Sequence, residues 1–135
     1  MVAVLAASPL PAVRIVASPD ALDGFVGPAH RVVLRLAADE VMVLHSSVNE
    51  VVLNGDEHAI IEAEHGFSLI ALSWAEFEHS VRPLIEWRIP DTGFPHLAQG
   101  LVGFVPTKLW FTEDGVRVVV ATSFAETLLE RMRSQ

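Results

Sequence analysis

Two stretches of the chain share a spacing that metal chemistry uses. In Glu62-Ala63-Glu64-His65 and again in Glu76-Phe77-Glu78-His79, a histidine follows a glutamate by three residues. On a helix such a pair projects from one face, and helical bundles use it to hold two irons or manganeses between carboxylates and imidazoles. Zinc also accepts this donor set, so a mixed site built from His58, Glu62, His65 and His79 is one chemistry open to the chain. Bundle helices need several turns each and a loop between them, and the two motifs follow each other too closely for that. Glu62 to His65 comes after the β-branched pair Ile60-Ile61 and runs into Gly66, which reads as a strand end with Glu62 and Glu64 on one face. Glu76 is placed to close a capping box with Ser73, and Glu78 and His79 fall away from the apolar stripe of Trp74, Phe77 and Val81.

Other reaction centres are excluded by residue type. The chain has no cysteine, which removes disulfides, thiolate catalysis and Cys-ligated zinc. No serine stands in a Gly-x-Ser-x-Gly elbow, and no glycine-rich loop leads to Gly-Lys-Ser/Thr, so neither covalent hydrolase chemistry nor a phosphate cradle is supported. Acidic residues outnumber basic ones by 17 to 9, the formal charge is −8, and no Lys/Arg run exists for a phosphate backbone. Nucleic-acid binding is not expected. No apolar run approaches the length of a bilayer span and the start lacks a basic n-region, so the expected location is the cytoplasm, away from membranes.

The segment Asp91 to Gly103, DTGFPHLAQGLVG, mixes aromatic, imidazole and amide side chains. Phe94, His96 and Gln99, with Trp110 beyond, are therefore the candidate ligand or interface residues. No convergent charged group accompanies them, and no catalytic residue is assigned.

The elements that must position these residues can be read along the chain. AVRIVAS (12–18) is a strand leading to a helical turn at Pro19. Strands at 32–36 and 41–45 flank the turn Ala37 to Glu40, and Asn54-Gly55 is a second turn signal. FSLIALS resumes a strand before the helix that Ser73 caps, and Pro83 ends that helix near Arg82. Residues 86 to 100 read as an ordered loop. LVGFVPTKLWF (101–111) reads as one strand whose Pro106 favours an edge or a bulge. VRVVVA (116–121) is the strongest strand, and Ser123-x-x-Glu126 reads as the capping box of a last helix with Arg131 and Arg133 in its final turn. Apolar residues make up 51% of the 135, enough to fill one core. The expectation is a single α+β domain over 1–135: a two-layer sandwich with a mainly antiparallel sheet, two main helices on one face, and a disordered lead-in over 1–10.

The order of these segments resembles the gamma subunit of heterotetrameric sarcosine oxidases, relatives of the folate-binding aminomethyltransferase (glycine-cleavage T-protein) fold. The resemblance runs through VLRLAADEVMVL (33–44), IIEAEHGFSLIAL (60–72), FPHLAQGLVGFVPTKLW (94–110) and VVVATSFAETLLERM (118–132). It matches best at His65 and at Ser123-Phe124-Ala125. Family members tend to carry Asp-x-Ser-His where this chain has Glu62-Ala63-Glu64-His65, and Ser-Gly-Pro where it has Ser73-Trp74-Ala75. The resemblance implies a small subunit that packs against larger flavin-bearing subunits and holds no cofactor itself; no folate site is carried over. The expected function is a non-catalytic accessory subunit with a protein partner or self-association. A stand-alone ligand-binding or small enzymatic domain with its site at 91–103, and a His/Glu metal protein, are the alternatives.

Overall fold

The computed structural model describes residues 4–135. In chain order its elements are β1 (Ser8–Pro9), β2 (Ala12–Val16), α1 (Pro19–Asp23), β3 (Val33–Ala37), β4 (Glu40–Leu44), β5 (Ile60–Glu64), β6 (Phe67–Leu72), α2 (Trp74–Ser80), β7 (His96–Val102), β8 (Val105–Phe111), β9 (Val116–Ala121) and α3 (Thr122–Arg133). Short 3-10 turns occupy Val48–Glu50 and Arg82–Leu84. The class is α+β and every strand pairing is antiparallel. The strands are shared between two sheets, where the sequence suggests one. Two compact units result, one from Leu10 to His65 and the other from Gly66 to Gln135 together with the segment through Pro9. Of the first ten residues, 1–3 lie outside the described residues, and Ser8–Pro9 forms the edge strand β1.

The Leu10–His65 unit is a four-stranded sheet ordered β3-β4-β2-β5. The β3–β4 hairpin forms as its sequence indicates, around Ala38 and Asp39. Val13, Ile15, Val41 and Val43 alternate onto one sheet face and pack with Ala21 and Leu22 of α1. That helix starts as expected: Ser18 Oγ accepts the amide of Ala21, and Pro19 fills the first helical position, where a missing N–H costs nothing. Asp56 fixes the turn after Asn54-Gly55, accepting the amides of Ser18 at 2.8 Å and His58 at 2.9 Å. Those two hydrogen bonds hold its carboxyl below the usual carboxylate range.

The other unit is a five-stranded sheet ordered β1-β6-β9-β8-β7. Leu109 and Phe111 of β8, Val116, Val118 and Val120 of β9, and Ile70 and Leu72 of β6 point to one face. Against them lie Phe77 and Val81 from the first main helix and Ala125, Leu128, Leu129 and Met132 from the second, so both helices cover the same face. Each fully buried Leu or Phe there contributes about 1.5–3 kcal/mol. Helix α2 begins with the reciprocal Ser73–Glu76 capping box, with N–O distances of 2.8 and 3.1 Å.

Three sequence expectations are corrected. The loop assigned to 86–100 ends at Pro95, because His96 to Val102 pairs along its length with β8. The single strand at 101–111 is instead a hairpin that turns at Gly103-Phe104. The Ser123–Glu126 capping box does not form: β9 runs into α3 without a break, the cap position falls at Ala121, and Ser123 already lies inside the helix. Thr122 takes over the anchoring, donating its amide to Gly66 O at 2.8 Å and pairing its hydroxyl with that of Ser68 at 3.0 Å. Pro106 pairs only with Leu101 on β7, since the register with β9 starts at Thr107; it is locally an edge residue inside an inner strand.

Ser73→Ala removes one side of the cap and is expected to destabilise the chain by about 1 kcal/mol in urea unfolding. For Asp56 the folded pKa is depressed, so its contribution is present above the unfolded value and is lost as pH falls through the folded one. Stability is therefore expected to fall as pH is lowered through and below the ordinary Asp value of about 3.9, and Asp56→Asn to flatten that acid limb when urea midpoints are compared across the range.

Candidate functional site

The two Glu-x-x-His motifs are put to structural use. Glu62, on β5, accepts a hydrogen bond from Arg14 Nη1 at 3.1 Å, and the same guanidinium pairs through Nε with Glu40. This ion triad ties together the three strands that carry its members. His58 and His65 are exposed, and the His58 ring is 3.4 Å from the Glu57 carboxylate. Glu76 closes the cap of α2, and Glu78 pairs with Arg82 through two contacts of 2.8 and 2.9 Å. That pairing holds the Glu78 carboxyl below its ordinary value. His79 is exposed on α2 and borders a cleft of about 610 Å³ with Ala75, Met132 and Arg133. Among the described residues, no three His, Asp or Glu side chains are gathered so as to hold a metal ion.

The four aromatic and polar candidates divide between the sheet faces. His96 pairs with Phe111 and faces the helix-covered side, whereas Leu97 pairs with Trp110 and Gln99 with Lys108 on the opposite side. On the helix side an aromatic cluster forms around His96. Its ring lies 4.7 Å from Phe111 and 6.2 Å from Phe94, nearly parallel to both, and Trp74 meets Phe77, Phe94 and Phe111 at 5.6 to 5.8 Å. The Trp74 indole N–H reaches the carbonyls of Thr112 and Glu113. His96 Nδ1 lies 2.5 Å from Gly93 O, a contact that requires the proton on Nδ1. The other ring nitrogen, Nε2, is buried and has no hydrogen-bond partner among the described residues. Phe94, 52% exposed, and Trp110 come together at a shallow cleft of about 330 Å³ with Pro95, Thr112 and Glu113. Gln99 is not part of it.

A second feature escaped the sequence reading. The β7–β8 hairpin turns in two residues, Gly103 at φ 53° and Phe104 at φ 67°. Two consecutive positive φ values are those of a type I′ turn, which matches strand twist and normally selects Asn-Gly. A phenylalanine there carries a steric penalty of about 1–2 kcal/mol. The conformation is held from outside the turn: Gly103 donates its amide to Leu84 O at 2.9 Å, and Arg131 Nη1 donates to Gly103 O. Phe104 is nonetheless 78% exposed, with Leu101 beside it at 50%. Trp87 supports the approach to the tip by donating its indole N–H to Leu101 O at 2.7 Å and lying flat on Gly100, where a Cβ would fall 2.5 Å from the ring. Pro83, Leu84, Trp87, Leu101 and Phe104 line a groove of about 290 Å³. Gly103 was the available signal, but Val-Gly-Phe-Val lacks the usual turn dipeptide, and its apolar flanks read as continuous strand.

The architecture is an α+β fold with two antiparallel sheets and an aromatic-tipped hairpin. No family model and no curated protein matches the chain. Among solved structures it is similar to a chain of the heterotetrameric sarcosine oxidase from Corynebacterium sp. U-96 in complex with pyrrole 2-carboxylate. The TM-score is 0.69 at 17% identity, over 96% of this chain and 84% of that one. The likeness shows a shared fold, and the two coverages make the matched chain similarly small. No described helix is long and apolar enough to cross a membrane.

Gly100→Ala tests the Trp87 seat. The added methyl is expected to push the indole off β7, cost about 1–3 kcal/mol in thermal unfolding, and shift tryptophan emission toward that of a hydrated ring.

Proposed function

We propose that this chain is a non-catalytic accessory subunit of a sarcosine-oxidase-like complex, corresponding to the gamma subunit and its aminomethyltransferase-like fold, and that it meets a larger partner through the Phe104 hairpin tip. The observation that carries the reading is the near-complete mutual coverage between this chain and one chain of a heterotetrameric sarcosine oxidase. The tip supplies the rest. Interfaces draw most of their energy from a few buried aromatic anchors ringed by weaker contacts. Phe104 projects beside an apolar groove, and its backbone is held in an unfavourable conformation by Arg131 and Leu84. Strain retained at an exposed position fits a surface shaped for binding more than for stability. In this reading the larger subunits hold the flavin and do the chemistry.

The test is co-expression with the larger subunits of sarcosine-oxidase-type complexes, followed by affinity capture and light-scattering mass. A stable complex of defined stoichiometry is expected. A chain that stays alone at its own mass with every such partner would sink the reading; a homo-oligomer would redirect it to self-association. Phe104→Asn, which the turn tolerates, should leave the isolated chain as stable or up to about 1 kcal/mol more stable, yet weaken capture by about tenfold or more, equivalent to about 1.4 kcal/mol.

A second reading, a small-molecule site within the 91–103 segment, is favoured by the buried Nε2 of His96, which has no hydrogen-bond partner among the described residues. A ligand with a hydrogen-bonding group would supply the missing bond, and a thermal-shift screen that raised the melting temperature of the native chain but not of His96→Phe would support it.

A further inference from the structure

We propose that Asn54 is a self-modification site, where the folded chain leaves the Asn54-Gly55 peptide open to succinimide formation and conversion to aspartate and isoaspartate. The reaction needs three things: a backbone amide that can lose its proton, an unencumbered side-chain amide, and no bulk on the following residue. Gly55 has no side chain to block the approach, and both residues are exposed. Neither the Gly55 N–H nor the Asn54 side chain has a hydrogen-bond partner among the described residues. The anchoring in this turn begins one residue later, at Asp56, so the segment is fixed beside the reacting pair and free at it.

The chain contains its own control. The other asparagine, Asn49, lies in the Val48–Glu50 turn, and the amide that would have to attack it, Glu50 N, donates to Ser47 O at 3.0 Å. The same chemistry is blocked there by a hydrogen bond and by the following side chain.

The step balances without any redox partner. Deprotonated Gly55 N adds to Asn54 Cγ, the bond from Cγ to the side-chain nitrogen breaks, and ammonia leaves with the proton it takes from water. Water then opens the five-membered imide. Attack at the side-chain carbonyl gives aspartate, and attack at the main-chain carbonyl gives isoaspartate, with one extra carbon in the backbone. Either product adds a negative charge to a cleft of about 600 Å³ that Asn54 and Gly55 line together with Asp20, Phe25 and Val52. The isoaspartyl product also lengthens the turn that leads into β5.

The experiment incubates the full native chain in mildly alkaline buffer beside the same chain unfolded in urea, with peptide mapping by mass and by fragmentation that separates aspartate from isoaspartate. Conversion at Asn54 in the native chain within a few-fold of the unfolded rate, with Asn49 unchanged, is the expected result. Protection of native Asn54 by an order of magnitude or more, set against normal conversion in urea, would overturn the proposal by showing that the fold closes this peptide. Asn54→Gln, which must close a larger and slower ring, is expected to abolish the mass gain while leaving the melting temperature unchanged. A mass gain that persists in that variant would place the modification elsewhere and overturn the assignment equally.

Discussion

Strand β9 is buried on both faces: Val116, Val118, Val119 and Val120 are all essentially inaccessible. β-Branched side chains suit a pleated surface packed from two sides, and this strand passes straight into α3, whose Leu128, Leu129 and Met132 fold back over Val116, Val118 and Val120. Position and direction of the last helix are thereby set by the strand that precedes it. The five-stranded unit inherits its order from that junction, because β6 and β8 pair on either side of β9 and Arg131 of α3 is delivered to the carbonyl of Gly103. The exposed hairpin tip thus depends on the packing of α3 against β9.

Local signals in the sequence suffice where one residue type has one job. Pro19 after Ser18, the Ser73–Glu76 box and the closely spaced valines of β9 each determine their element without help from elsewhere. Strand β7 was illegible because Gly100 and the preceding Pro95 and Gly93 argue against a strand. Only the β8 partner, and the Trp87 ring that needs Gly100 to be bare, reveal why they are there. Ser123 carried a valid cap pattern that tertiary context overrode, since a strand feeding directly into a helix moves the cap position ahead of it. The division into two sheets was equally hidden, because alternation shows that a strand has a buried face and does not say which strand lies beside it.

The candidate residues follow the same logic. Glu62, Glu76 and Glu78 were recognisable as carboxylates at suggestive spacing, yet each is used by a guanidinium or a backbone amide that the spacing does not show. Phe94 and His96 belong to one aromatic cluster, as proximity in sequence suggested, whereas Gln99 is turned to the other face by the two-residue period of β7. Phe104, the side chain the backbone treats most unusually, gave no signal beyond its neighbouring glycine.

The topology also carries a consequence for the order of events at the ribosome. β1 pairs with β6 across a gap in which the whole Leu10–His65 unit is contained, and the Ser8 hydroxyl contact with Leu69 spans a separation of 61 residues. The four-stranded sheet is therefore an insertion between two pieces of its neighbour, and it emerges complete while β8, β9 and α3 are still unmade. Its β3–β4 hairpin and adjacent β2 can form from local contacts during synthesis. The larger sheet must wait for β9, so until residues 116–121 are made β6 has only the two-residue β1 beside it, and that interval is when the nascent chain most needs either a chaperone or an early binding partner.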